Sequence, residues 1–336
     1  MKFCIVGAGA IGGYLGTRLS LAGEEVTFIA RRRNLEAINT EGFRLVLEDG
    51  TQAHATQVRA VERMADAGVQ DVVLITLKAH QLHEVVADLH LLFGPDTVVV
   101  TMINGVPWWY FHGLGGEFDG RAVTSVDPDG AIAAAIAPER IIGSVVYPAA
   151  ELVAPGLVKL IEGNRFTLGE PSGERTPRIE KLSQVFMNAG FKAPIARDIR
   201  SELWIKLWGN LSFNPISALT HATLEQICRF PATRALAATL MQEGQAVAEA
   251  LGVRFKISLE QRLAGAEAVG AHKTSMLQDV EAGRALELEA LVGAVIELGR
   301  ITGTPTPQLG AIYAATQLLA HTLAEQRGRL AVQPCH

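Results

Sequence analysis

Short apolar runs separated by turn residues mark the first two hundred residues. Lys2 to Val6 (KFCIV) predicts a strand, and a helix through about Ala22 follows the glycine-rich stretch after it. Glu25 to Ala30 (EVTFIA), rich in β-branched and aromatic side chains, predicts a second strand. Val72 to Thr76 (VVLIT) and Thr97 to Met102 (TVVVTM) are unbroken apolar runs, as expected of strands covered on both faces. Gln81 to Leu92, between them, has helical spacing. Arg44 to Leu47 and Gln52 to Val58 flank Glu48-Asp49-Gly50, which predicts a hairpin. Alternation of strand and helix is the pattern of a parallel sheet covered by helices.

The pattern lengthens beyond Ala196-Arg197-Asp198. Helices are expected over about 199–213, 223–251, 258–281 and 285–301, with few strand signals left. The expected architecture is therefore an α/β, Rossmann-type domain over residues 1–197, an all-α domain over 198–330, and a frayed tail over 331–336.

Composition narrows the function classes. The chain has 336 residues, with 30 Lys plus Arg against 35 Asp plus Glu, a formal charge of −5. That balance argues against a nucleic-acid partner, which needs a basic surface. Cys4, Cys228 and Cys335 are far apart, as expected of a reduced, cytoplasmic protein. No window offers about 18 uninterrupted apolar residues, so no membrane span is expected. His80 and His83 form no zinc-binding spacing with the other histidines or the cysteines, and no metal is expected.

Gly7-Ala8-Gly9-Ala10-Ile11-Gly12 is a G-x-G-x-x-G between a strand and a helix. In that context Gly7 permits the tight turn, Gly9 lets the backbone approach a pyrophosphate, and Gly12 brings helix and sheet together. An NAD site normally places Asp or Glu at the end of the second strand; this chain has Ala30 and then Arg31-Arg32-Arg33. Guanidinium groups suit a 2′-phosphate, so the expected cofactor is NADP(H), with Arg31 its best candidate partner.

Ser201 to Asn214 (SELWIKLWGNLSFN) is apolar around most of its circumference, as in a buried helix. Lys206, Asn210 and Asn214 recur at i, i+4 and i+8 on one side of it. Burying a lysine is costly, so the stripe lines either a cleft or a route to the surface beside an Asn214-Pro215 cap.

These residues resemble the ketopantoate reductase (2-dehydropantoate 2-reductase) family over nearly the whole chain. The shared motifs include Gly7 to Gly12, Thr76-Leu77-Lys78-Ala79, Asn104-Gly105, Glu202-Leu203-Trp204 with Lys206-Leu207, Asn210 and Asn214-Pro215. They continue through Ser275-Met276-Leu277-Gln278-Asp279 and Gly283-Arg284 with Glu287. The resemblance implies a helical domain like the C-terminal domain of 6-phosphogluconate dehydrogenase. It also implies NADPH-dependent reduction of a 2-keto acid, with ketopantoate the default substrate, in a cleft between the domains. It makes Lys206 the catalytic lysine and Glu287 its acidic partner, and puts Lys78 and Asn104 near the cofactor. Asn210, Asn214 and Ser275 become substrate-binding residues. Periodicity alone leaves Glu287 and Glu289 open.

The chain departs from the family pattern at Pro107-Trp108-Trp109-Tyr110, at Tyr147, at His272, and at Leu286, Glu289 and Val292. These departures leave room for a paralogue acting on another 2-keto acid, and a dinucleotide-binding sensor without turnover is a further alternative. The apolar helices beyond residue 223 could pack within one chain or form a homodimer interface.

Overall fold

The computed structural model describes residues 1–326; the expected tail over 331–336, with Cys335, lies outside the described residues. The chain divides into two compact units, Met1–Ala122 with Asp127–Glu202, and Val123–Val126 with the residues from Leu203 onward.

In the first unit β1 (Lys2–Val6) leads through the glycine turn into α1 (Ala10–Leu21), then β2 (Glu25–Ile29) and α2 (Arg32–Glu41). The expected hairpin forms from β3 (Phe43–Val46) and β4 (Gln52–Ala55), antiparallel, with Asp49 Oδ1 accepting from Thr51 N at 2.9 Å in its turn. Val58 does not extend it: β5 (Val58–Val61) pairs with β2 in another sheet. After α3 (Met64–Ala67) come β6 (Gln70–Ile75), β7 (Phe93–Thr101), α4 (Ala131–Ala135), β8 (Ile141–Val146), β9 (Ala149–Ala154), β10 (Leu157–Glu162), β11 (Phe166–Gly169) and α5 (Pro177–Asn188).

Seven strands form one sheet in the order β11-β8-β7-β6-β1-β2-β5, parallel except for β11. A second sheet runs β4-β3-β10-β9. Helix α1 packs against it closely enough that a Cβ at Gly13 would lie 2.3 Å from the Phe43 ring. Phe3, Ile5, Leu15 and Phe28 are fully buried, each contributing about 1.5–3 kcal/mol through the apolar surface it removes from water.

The segment expected as a helix over Gln81–Leu92 is instead two 3₁₀ stretches, Ala79–Glu84 and Val86–Leu92. In the second stretch Val86, Leu89 and Leu92 are buried and recur every third position, which suits three residues per turn.

Helix α6 (Ile199–Thr220) carries the chain into the second unit. It does not end near residue 213 but runs through Pro215, because Phe213, Ile216 and Ala218 beside the proline are buried and hold the helix where one backbone N–H is missing. Residues 223–251 form two helices, α7 (Leu224–Arg229) and α8 (Pro231–Ala250), since the residue before Pro231 is driven out of helical conformation. Residues 258–281 likewise split into α9 (Leu259–Ala268) and α10 (Ser275–Glu281), separated by Gly270 at φ +82° and capped by Thr274. A π-helical turn, Glu289–Gly293, leads into α11 (Ala294–Thr302), and α12 (Pro307–Glu325), not foreseen from the pattern, follows. Among the described residues no helix is long and apolar enough to cross a membrane.

Candidate active site

The first unit gathers its candidates at one end of the sheet. Strands β7, β6, β1 and β2 are consecutive neighbours and all parallel. Beyond their carboxyl ends follow, in that order, Asn104, Lys78, the glycine turn and Arg31. The carboxyl edge of a parallel sheet is where such folds bind ligands.

Each glycine of the turn is explained by its surroundings. Gly7 has φ +113°, a backbone conformation other residues rarely adopt. A Cβ on Gly12 would lie 2.0 Å from the Gly7 carbonyl oxygen and 2.6 Å from Thr76 Oγ1, so only glycine lets α1 approach the sheet here. A Cβ on Gly9 would meet nothing within 4 Å, which leaves open space over the turn. Gly9 is also the N-cap of α1 without a capping side chain, so the first N–H groups of the helix are available to an anion. The turn therefore fits a dinucleotide pyrophosphate.

Two residues brace the turn that the sequence reading had not singled out for this task. Thr76 Oγ1 donates to the Gly7 carbonyl at 2.7 Å, and Asn34 Nδ2 donates to the Ala8 carbonyl at 2.6 Å. Arg31 is exposed as the N-cap of α2, 3.5 Å from Glu84 Oε2. Arg32 beside it has φ +51°, an unusual backbone for a side chain of this size. Lys78 and Asn104 are half-buried, and the Lys78 N–H donates to Gln81 Oε1 at 3.1 Å.

In the second unit α6 carries Lys206, Asn210 and Asn214 on successive turns of one continuous helix. Trp204, Leu207, Trp208 and Leu211 are buried around it, and Trp208 Nε1 donates to the Met241 carbonyl of α8 at 2.7 Å. Burial pushes the Lys206 ammonium down to about 8, while the Glu287 carboxylate, near enough to act on it, pulls in the opposite direction. Glu287 is itself buried at 9% exposure, whereas Glu289 is exposed and accepts from the Tyr313 hydroxyl at 2.7 and 2.8 Å. Asn214 is buried, and among the described residues its Nδ2 has no hydrogen-bond partner. Such a group costs about 1–3 kcal/mol unless something occupies it. Ser275 stands exposed at the first residue of α10, and its side chain makes no hydrogen bond among the described residues.

The model of the ketopantoate reductase PanE/ApbA family matches residues 3–173, and that of the family's C-terminal domain matches residues 198–320. The chain belongs to the ketopantoate reductase family. It is 54% identical to a 2-dehydropantoate 2-reductase of Mesorhizobium japonicum over 98% of this chain and 99% of that one. A solved structure from Ralstonia solanacearum that carries the family name superposes with a TM-score of 0.91 at 42% identity, covering 96% of this chain and 98% of the other. The 2-dehydropantoate 2-reductase of Geobacter metallireducens gives 0.82 at 28% identity, covering 97% and 99%. A D-mandelate dehydrogenase solved with NADH and anilino(oxo)acetate shares the fold, with a TM-score of 0.82, 22% identity, and 96% and 100% of the two chains covered.

The departures from the ketopantoate reductase pattern fall into place by their packing. Trp108, Trp109 and Tyr110 are buried inside the first unit; Trp109 Nε1 donates to Thr101 Oγ1 at 3.1 Å, and the Tyr110 carbonyl accepts from Arg200 Nε at 2.7 Å. This aromatic stretch is core. Tyr147 is partly exposed under the Arg165 guanidinium, 5.2 Å from its ring centroid, and the His272 carbonyl accepts from Leu224 N at 3.0 Å.

Two other features of the first unit compete for a functional reading. A cavity of about 620 Å³ is lined by Arg165, Arg175, Met187 and Lys192 among others, but its arginines already pair with Glu202 and Glu180. His83, Asp127 and Asp129 bring ligand atoms within 4.8 Å of one another. Both carboxylates serve α4, accepting from Ile132 N and Ala133 N on Asp127 and from Ala131 N on Asp129.

Proposed function

We propose that this protein reduces 2-dehydropantoate (ketopantoate) to pantoate with NADPH. The observation that carries the reading is the half-buried Lys206, its desolvated ammonium lowered to about 8 and acted on by the buried Glu287, on the same helix as a buried asparagine whose Nδ2 has no partner among the described residues. The relatives named 2-dehydropantoate 2-reductase support the same substrate.

Gly7, Ala8, Gly9, Ala10, Ile11 and Gly12 would hold the pyrophosphate through the free N–H groups of α1, and Arg31 the 2′-phosphate of the adenosine ribose. Lys78 and Asn104 would border the same cofactor. A bound nicotinamide supplies the hydride; everything else falls to the protein. Lys206 donates to the keto oxygen and gives it a proton as negative charge develops there, so its stabilisation is greatest in the transition state. Glu287 keeps that ammonium charged despite its burial. Asn210 and Asn214 bind substrate oxygens, and Ser275 takes the carboxylate. In this scheme residues 1–197 serve the cofactor and 198–330 the substrate.

Two variants test the assignments. Lys206→Ala should lose about 10²–10⁴-fold in kcat, as expected for removal of a general acid, with NADPH binding intact by fluorescence titration. Unchanged turnover would remove Lys206 from the mechanism. Arg31→Ala should weaken NADPH about ten- to a hundredfold while leaving NADH nearly unaffected, the loss expected of a charged hydrogen bond. An undiminished preference for NADPH would end the role given to Arg31.

A further inference from the structure

The chain between Glu287 and α11 is a π turn, Glu289–Gly293, rather than an ordinary α-helical turn. Such turns are rare and recur at functional sites. Here a contact from another helix meets the turn. The Tyr313 hydroxyl, on α12, lies 2.7 and 2.8 Å from the two carboxylate oxygens of Glu289, and Gln317 Nε2 donates to the same hydroxyl at 2.9 Å. Glu289 reaches Tyr313 by running along its own helix over Gly293. A Cβ at Gly293 would lie 2.5 Å from Glu289 Oε2 and 3.3 Å from the Tyr313 ring. Gly293 has an ordinary helical backbone, so its missing side chain serves space, not conformation.

Glu287 lies two residues before this clamp, in the segment that enters the π turn. We propose that Tyr313 is a positioning residue: by holding Glu289 across Gly293 it fixes the π turn and thereby aims the Glu287 carboxylate at Lys206. The proposal rests on the reading of Lys206 and Glu287 given above. The charged groups around the clamp are Glu289 and Arg300, and the one acting on Lys206 is Glu287. Tyr313→Phe removes the hydroxyl and leaves all of these charges in place.

Loosening the clamp weakens Glu287's hold on Lys206, leaving burial to lower the ammonium further. Lys206 can be followed by NMR of 13C-labelled lysine in the ligand-free protein, its signal assigned with Lys206→Ala. Tyr313→Phe should move its titration down by about half a unit or more, and move the basic limb of the kcat profile with it. The KM for NADPH should not change. Gly293→Ala should do the same, so the test survives if one variant fails to fold, and Glu289→Gln, which keeps an acceptor for the hydroxyl, should retain most of the wild-type behaviour. A lowered Tm with the Lys206 titration unmoved in both variants would make Tyr313 a packing residue and overturn the proposal. Glu287→Gln with no effect on the Lys206 titration would instead overturn the underlying reading of the pair.

Discussion

Lys206 shows how one residue carries both a cost and a use. Its surroundings disfavour the charge that the proposed role of proton donor needs, and Glu287 compensates only in part. The ammonium therefore loses its proton well before an exposed lysine would, burial bringing it from the ordinary 10.5 down to about 8. If the protonated form is the donor, as proposed, kcat for reduction should hold below pH 8 and fall as pH rises through that value. A basic limb that stays near 10.5 would show a solvated lysine. The stripe Lys206, Asn210 and Asn214 was legible from periodicity, because one uninterrupted helix keeps i, i+4 and i+8 together. Glu287 was not, since it precedes the π turn, where no helical period applies; burial, not spacing, separates it from Glu289.

At the scale of elements, the glycine turn was legible because each glycine answers a different demand. That difference is testable. Gly12→Ala forces a Cβ to 2.0 Å from the Gly7 carbonyl and should destabilise the apoprotein by several kcal/mol. Gly9→Ala points into open space at φ −82° and should leave the apoprotein Tm unchanged while weakening dinucleotide binding about tenfold or more. Equal effects of the two on apoprotein stability would contradict the assignment. The other half of the second sheet, β9 and β10 beside the expected hairpin, escaped the sequence reading because both strands are only partly buried and mix apolar with charged residues. The split helices beyond residue 223 escaped it because amphipathic spacing continues across Pro231 and Gly270, while the backbone does not.

At the scale of the whole molecule, four residues, Val123–Val126, belong to the second unit although the chain on either side belongs to the first. Glu297 of α11 holds them, accepting from Thr124 N and Oγ1 at 2.7 and 2.6 Å and from Ser125 N and Oγ at 2.7 and 2.6 Å. Burial alone would raise its carboxyl; these four bonds overcome that and hold it below its ordinary 4.5. The stability it contributes is present above 4.5 and lost as pH falls through the lower folded value. Glu297→Ala should lower stability near neutral pH by about 1.5–3 kcal/mol, the range for hydrogen bonds to a charged group, and flatten the acid limb of the Tm profile. An unchanged profile would show that another contact holds the segment. No local pattern announces this clasp, since its partners are more than 170 residues apart.

Substrate and proton donor stand or fall together. NADPH oxidation by the purified protein, measured with ketopantoate and a panel of straight, branched and aromatic 2-keto acids, tests both when repeated with Lys206→Ala. We predict the highest kcat/KM for ketopantoate and its loss in the variant. A higher kcat/KM for another 2-keto acid, or a variant that retains wild-type turnover, would contradict that prediction.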